Sequence, residues 1–203
     1  MTAVKICGVT SPEDALLCVD AGADAIGLNF VASSPRRVSV ELARRIVQAL
    51  PSRFMTVGVF VDAAYEELID IKQRVGLRCL QLHGAESPAL LVRCLPHAYK
   101  ALRVRDASLV EEAARYPGEH LLLDAFVAGV QGGTGASFDW QLARLVAGTR
   151  KITLAGGLHP DNVAAAVVAV RPYCVDVASG VETEPGKKDP TLVRAFVTRA
   201  KAA

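Results

Sequence analysis

Short, nearly continuous apolar runs punctuate this chain, and longer amphipathic stretches separate them. The runs occupy 4–7, 25–30, 55–60, 79–83, 99–103, 121–124, 151–154 and 174–178 and are dominated by Val, Ile, Leu and Ala. Runs of that length without strict alternation fit strands buried on both faces. Their starts recur roughly every 20 to 30 residues, the spacing of a strand–helix repeat. Helix starts carry their own signals. Ser11-Pro12-Glu13-Asp14 sets a cap, a first-turn proline and two acids in order; Ser39 precedes an amphipathic run, and Asp189-Pro190 opens the last one. Asp62 reads as the cap of a helix beginning near Ala63, and Gly22 and Gly118 read as C-terminal stops.

Eight such units predict an α/β fold, with residues 1–203 forming a single (β/α)8 TIM-barrel domain, somewhat shorter than the typical ~250 residues. A doubly wound open sheet is the alternative. It would usually carry a glycine fingerprint after its first strand, and Cys7-Gly8-Val9-Thr10 is not G-x-G-x-x-G. Aromatic residues make up 5% and hydrophobic residues 51%, which suits a core of aliphatic side chains. The formal net charge of +2 provides no global field for nucleic acid or an anionic membrane. No apolar stretch approaches the ~20 residues of a membrane helix, and no signal-peptide pattern opens the chain. The cysteines number five, and no pair has C-x-x-C spacing. A zinc site or disulfide framework is therefore not expected, and a reducing cytoplasm is.

In a barrel of this kind the C-terminal strand ends build the active site. Cys7 ends the first strand, and Lys5, two residues back on the same face, is placed to favour its thiolate. A buried packing role is the ordinary reading of a strand cysteine; the position at the functional rim argues for chemistry. Cys18, Cys79, Cys94 and Cys174 read as packing. Asp124 ends an otherwise apolar strand, where a carboxylate needs a partner or a polar pocket; a cap or loop hydrogen bond is the plain alternative. Gln81 and His83 alternate on the fourth strand toward the barrel mouth. Glycine turns follow the last three strands: Gly132-Gly133-Thr134-Gly135, Ala155-Gly156-Gly157-Leu158 and Ser179-Gly180-Val181. Paired turns on strands 7 and 8 are where such barrels hold a phosphate on backbone N–H groups. Arg36 and Arg37, in the loop after the second strand, are either solvated or placed to meet a carboxylate.

Taken together these segments resemble the phosphoribosylanthranilate isomerase family of tryptophan biosynthesis. The resemblance rests on Lys5-Ile6-Cys7-Gly8, Ala21–Gly27 with Phe30 and Ser34-Pro35-Arg36, Gln81-Leu82-His83-Gly84, Asp124 with Gly132–Gly135 and Phe138-Asp139-Trp140, Gly156-Gly157 with Asn162, and Ser179–Glu182 with Pro185-Gly186 and Lys188-Asp189. It implies a cofactor-free Amadori rearrangement of N-(5-phosphoribosyl)anthranilate, an aldose–ketose isomerisation without a metal. On it Cys7 is the general base and Asp124 the general acid. Arg36, Gln81, His83 and Asp176 bind substrate, with Arg36 on the anthranilate carboxylate across the mouth from the phosphate. Gly133, Thr134, Gly135, Gly156, Gly157, Ser179, Gly180 and Val181 hold the phosphate. Ala178 stands where the family usually has serine. The expected partner is a small phosphorylated molecule, with neither nucleic acid nor membrane, and the expected assembly is a monomer or homodimer. The less favoured readings are another phosphosugar enzyme on the same barrel, such as the related histidine-pathway isomerase, and a non-catalytic sensor of phosphorylated ligands.

Overall fold

A computed structural model describes residues 1–124 and 140–203. Among these, eight parallel strands close into a barrel in chain order. They are β1 (Ala3–Cys7), β2 (Ala25–Asn29), β3 (Met55–Phe60), β4 (Cys79–Leu82), β5 (Ala98–Arg103), β6 (His120–Asp124), β7 (Lys151–Ala155) and β8 (Cys174–Val177). The outer helices are α1 (Pro12–Asp20), α2 (Val40–Ala49), α3 (Tyr65–Val75), α4 (Pro88–Cys94), α5 (Leu109–Arg115), α6 (Trp140–Ala147), α7 (Val163–Val170) and α8 (Pro190–Ala202). The ring closes where β1 pairs with β8, with Lys5 opposite Asp176. No described helix is long and apolar enough to cross a membrane.

Strand alternation divides the side chains into two populations. Outward-facing Ile6, Ile26, Leu28, Leu80, Leu121, Leu123, Ile152 and Val175 join the helix faces in one large core. The inner cluster is small, consisting of Val57, Tyr99, Ala101, Leu122 and Ala155. It shares the barrel interior with Lys5, Gln81, Thr153 and Asp176, all buried. Apolar packing between sheet and helices thus holds the ring, and polar groups fill much of its middle.

Ser11, Ser39 and Asp189 cap α1, α2 and α8 as expected, each accepting from a first-turn backbone N–H. Strand limits shift by a residue or two: β1 starts at Ala3, β5 at Ala98 and β6 at His120, because each end residue still finds a partner on the neighbouring strand. Asp62 does not cap α3. That helix starts only at Tyr65, and Asp62 at φ +53° accepts instead from the N–H of Ala85 at 2.6 Å. A two-stranded hairpin, β9 (Glu182–Glu184) and β10 (Lys187–Lys188), follows β8. Its strands are too short and polar to stand out in a hydrophobic pattern.

A second buried charge pair ties the loop after β4 to β5. Lys100 donates to the carbonyls of Leu82, Gly84 and Ala101 and to Glu86 at 3.0 Å. Glu86 in turn accepts from the N–H groups of Asp62 and Gly84. Both side chains are essentially inaccessible, at 2% and 1%. Removing one member leaves the other charged and buried, at a cost of roughly 3–5 kcal/mol. Lys100→Met is therefore expected to lower unfolding stability by that amount in urea. A loss under ~1 kcal/mol would show that the pair behaves like a surface bridge.

Candidate active site

At the C-terminal end of the barrel lies a cavity of about 320 Å³, lined by Cys7, Asn29, Arg36, Gln81, His83, Asp124, Asp176 and the turns at Gly156-Gly157 and Ala178-Ser179. A larger hollow of about 740 Å³ opens beside α5 and α6, but it lies away from the strand ends, and the acid and base in its wall, Glu119 and Lys151, form an exposed surface pair. The chemistry is concentrated at the barrel mouth.

Cys7 leaves β1 with its thiol directed over β2. A Cβ on Gly27 would lie 2.6 Å from its Sγ and 3.2 Å from Lys5 Cε, so glycine at that position makes room for both side chains. From behind, the Lys188 ammonium donates to the Cys7 carbonyl at 2.6 Å. Burial pushes the Cys7 thiol up, and Lys5 and Lys188 only partly offset it. Lys5 does favour the thiolate, as expected from the sequence, but burial outweighs it. Lys5 itself donates to Asp176 at 2.6 Å and to Gln81 at 2.9 Å. Burial works against the Lys5 charge, yet Asp176, Cys7 and Tyr99 together raise its pKa well above the ordinary lysine value.

Gln81 and His83 do face the mouth. The Gln81 amide is engaged at both ends by protein: its oxygen accepts from Lys5 and from the Tyr99 hydroxyl, and its nitrogen lies 2.7 Å from His83 Nδ1. His83 Nε2 lies 3.2 Å from Asp124 Oδ2. Asp176 gives one oxygen to Lys5; its other, Oδ1, is buried and has no hydrogen-bond partner among the described residues. Burial pushes the Asp176 carboxyl up and Lys5 opposes it.

Gly156 and Gly157 have φ of +94° and +64°, which bends the chain sharply after β7. Asn162 braces this bend by donating to the Gly157 carbonyl and accepting from the His159 N–H. Ser179-Gly180-Val181 forms a 3₁₀ turn beside it. The Val181 N–H is directed at the Ala178 carbonyl at 3.4 Å and its side chain is in the core, so Val181 is the least accessible of these positions. Gly133, Thr134 and Gly135 lie outside the described residues.

The loop after β2 is pinned by Ser34, whose hydroxyl accepts from Asn29 and from the Arg36 N–H. The Arg36 side chain then crosses Gly8 and forks onto Glu182, with Nη2 at 2.6 Å and Nε at 2.9 Å. Its guanidinium therefore lies against Glu182, just past the turn after β8. Lys188 donates to the same carboxylate at 2.6 Å. Burial opposes the Glu182 charge, but Arg36 and Lys188 outweigh it and hold the carboxyl below its usual range. Arg37 is exposed. Glu182 and Lys188 were not candidates from sequence alone; their places in the last motif were the one available signal.

The family model for N-(5'-phosphoribosyl)anthranilate isomerase matches residues 4–199. The chain belongs to that family. It is 50% identical to the N-(5'-phosphoribosyl)anthranilate isomerase of Rubrobacter xylanophilus, with all of both chains covered. The solved phosphoribosylanthranilate isomerase of Thermotoga maritima superposes with a TM-score of 0.91 at 41% identity, again over both whole chains. A solved family member in complex with reduced 1-(o-carboxyphenylamino)-1-deoxyribulose 5-phosphate superposes at 0.89 with 39% identity over both whole chains. The TIM-barrel architecture expected from the sequence is therefore that of the phosphoribosylanthranilate isomerases.

For this isomerase the environment of Cys7 makes a pH prediction. A thiol whose pKa is raised holds less thiolate at neutral pH than a free thiol does. Alkylation of Cys7 by iodoacetamide is expected to be slow at neutral pH and to accelerate with rising pH, with a midpoint above that of a small-molecule thiol. The measurement compares the rate profile of the wild type with that of Cys7→Ala. A midpoint below the free-thiol value would mean that Lys5 and Lys188 dominate over burial.

Proposed function

We propose that this chain catalyses the family's reaction, the isomerisation of N-(5'-phosphoribosyl)anthranilate to 1-(2-carboxyphenylamino)-1-deoxyribulose 5-phosphate in tryptophan biosynthesis, with Cys7 as general base and Asp124 as general acid. The observation that carries the assignment is that a thiol from β1 and a carboxylate from β6 line one cavity with the glycine turns after β7 and β8. We infer that residues 1–203 act as one barrel domain in the cytoplasm, as a monomer or homodimer, with no cofactor.

In this scheme Asp124 gives a proton to the furanose ring oxygen. The C1–O bond breaks with its electron pair going to that oxygen, and the anilino nitrogen lone pair forms a C=N bond. The Cys7 thiolate then takes the proton from C2, the released pair forms the C1–C2 double bond of an enolamine, and the C=N pair returns to nitrogen. Loss of the enol proton and protonation at C1 give the ketone. Burial that raises the Cys7 pKa lowers the thiolate population and at the same time strengthens the thiolate as a base. Backbone N–H groups of Gly156, Gly157, Ser179 and Gly180 bind the phosphate. Asp176 lines the cavity and its Oδ1 has no hydrogen-bond partner among the described residues; that oxygen accepts from a sugar hydroxyl. Holding both ends of the substrate sets C2 and the ring oxygen against base and acid.

Arg36 meets the anthranilate carboxylate. Glu182 takes Nε and Nη2 from one side of the guanidinium, which leaves the edge carrying Nη1 for a second carboxylate. The cluster of Arg36, Lys188 and Glu182 keeps one excess positive charge for the incoming anion.

Two predictions follow from these roles. Cys7→Ala and Asp124→Asn should each lower kcat by ~10²–10⁴-fold, the usual share of one acid or base, measured as the loss of anthranilate-substrate fluorescence. Removing one group should remove one limb of the pH–rate profile; activity within a few-fold of wild type in either variant would take that residue out of the scheme.

For Arg36, loss of a charge-assisted hydrogen bond costs roughly 1.5–3 kcal/mol. Arg36→Ala is expected to raise KM by about one to two decades and Arg37→Ala to change it little. A larger KM defect in Arg37→Ala would reverse the assignment.

A further inference from the structure

An ammonium group has donors and no acceptor, and that single fact propagates across the barrel. Lys5 Nζ and the Tyr99 hydroxyl both lie 2.9 Å from the same atom of the Gln81 amide, so that atom is the oxygen. The other end is then NH₂, which only donates, and it lies 2.7 Å from His83 Nδ1. Nδ1 must therefore accept, and the single N–H of a neutral imidazole is on Nε2. Nε2 faces Asp124 Oδ2 at 3.2 Å. An acid proton on Oδ2 would oppose that N–H, so a protonated Asp124 carries its proton on Oδ1.

We propose that Gln81 is a positioning residue that sets the tautomer of His83 and, through it, the oxygen of Asp124 that holds the transferable proton. The proposal rests on the reading of Asp124 as the acid. As the proton leaves Oδ1, the Nε2–H bond to Oδ2 becomes charge-assisted and stabilises the carboxylate being formed. The opposite tautomer would set a lone pair against Oδ2 and resist the same step. The lock is itself well supported. Gln81 is 1% exposed, Lys5 is held by Asp176 at 2.6 Å, and the Tyr99 ring packs on His120 with centroids 4.4 Å apart. His120 takes no part in the lock; its Nε2 pairs with Thr153.

Nitrogen NMR of protein labelled with ¹⁵N-histidine tests this near neutral pH. The chain has four histidines, and the His83 signals are assigned as those lost in His83→Asn. Wild-type His83 is expected to show a protonated Nε2 and a bare Nδ1, and to keep that pattern in Tyr99→Phe, where Lys5 alone still orients the amide. Gln81→Glu replaces the NH₂ donor with an acceptor of the same shape and is expected to move the proton to Nδ1. With it, kcat should fall on the order of 10²-fold while KM changes by only a few-fold. Gln81→Met removes the lock without imposing the opposite one, and should give mixed tautomers with an intermediate kcat. A wild-type His83 protonated on Nδ1, or on both nitrogens, would overturn the proposal, as would a proton moved by Gln81→Glu with kcat unchanged. The acid assignment fails separately: the tautomers would behave as expected while Asp124→Asn retained full activity.

Discussion

The site is organised around one ammonium group buried inside the barrel. Lys5 has almost no access to water, and a charge in that position must be paired and hydrogen-bonded. Asp176 supplies the countercharge from β8, the strand that closes the ring on β1. Gln81 supplies a neutral acceptor from β4. Because Lys5 can only donate, it dictates how both partners point. From those two contacts the rest of the mouth takes its arrangement: one Asp176 oxygen is left buried without a partner among the described residues, and the far end of the Gln81 amide is left facing His83 and hence Asp124.

Cys7 is supported from a different direction. The Lys188 ammonium binds its carbonyl, the Ala178 carbonyl and Glu182, and Glu182 also receives Arg36. One small cluster therefore connects the end of β1, the loop after β2 and the hairpin after β8. It explains why a two-stranded hairpin with almost no apolar content has a defined place. Its lysine sits behind the thiol, and its glutamate holds the arginine that is expected to meet the substrate carboxylate. The charge balance is uneven by design of the residues present: two cations share one carboxylate, which suits an anionic ligand.

Stability and chemistry are separated by strand alternation. The aliphatic core lies between strands and helices and touches the mouth only through residues such as Leu158 and Val177. Among the described residues the apolar cluster inside the barrel is small and shares that space with buried polar side chains. The Lys100–Glu86 pair marks the boundary. It faces outward from β5, yet it holds the loop that begins at His83. A long aliphatic stem that ends among carbonyls lets a lysine complete the core and still fix a loop next to the site.

Much of this was readable in the chain. Alternating apolar runs and amphipathic stretches determine an eight-unit barrel, because a strand buried on both faces and a helix with one apolar stripe leave few other ways to cover each other. The position of Cys7, Asp124, His83 and the glycine turns at strand ends follows from the same pattern, since strand ends in such a barrel converge. Three things did not follow. Lys5 lowers the thiol pKa as its position suggested, but the burial that outweighs it exists only once the barrel closes around Cys7. Asp62 looked like a helix cap, but its carboxylate turned to the β4 loop that barrel curvature brings alongside. Arg36 gave no sign in its own loop that it would cross Gly8 to pair with Glu182. Local sequence specifies periodicity and the caps whose partners lie within a turn; the direction of a long polar side chain is set by whichever counter-group the closed barrel places within reach, and that is decided by tertiary structure alone.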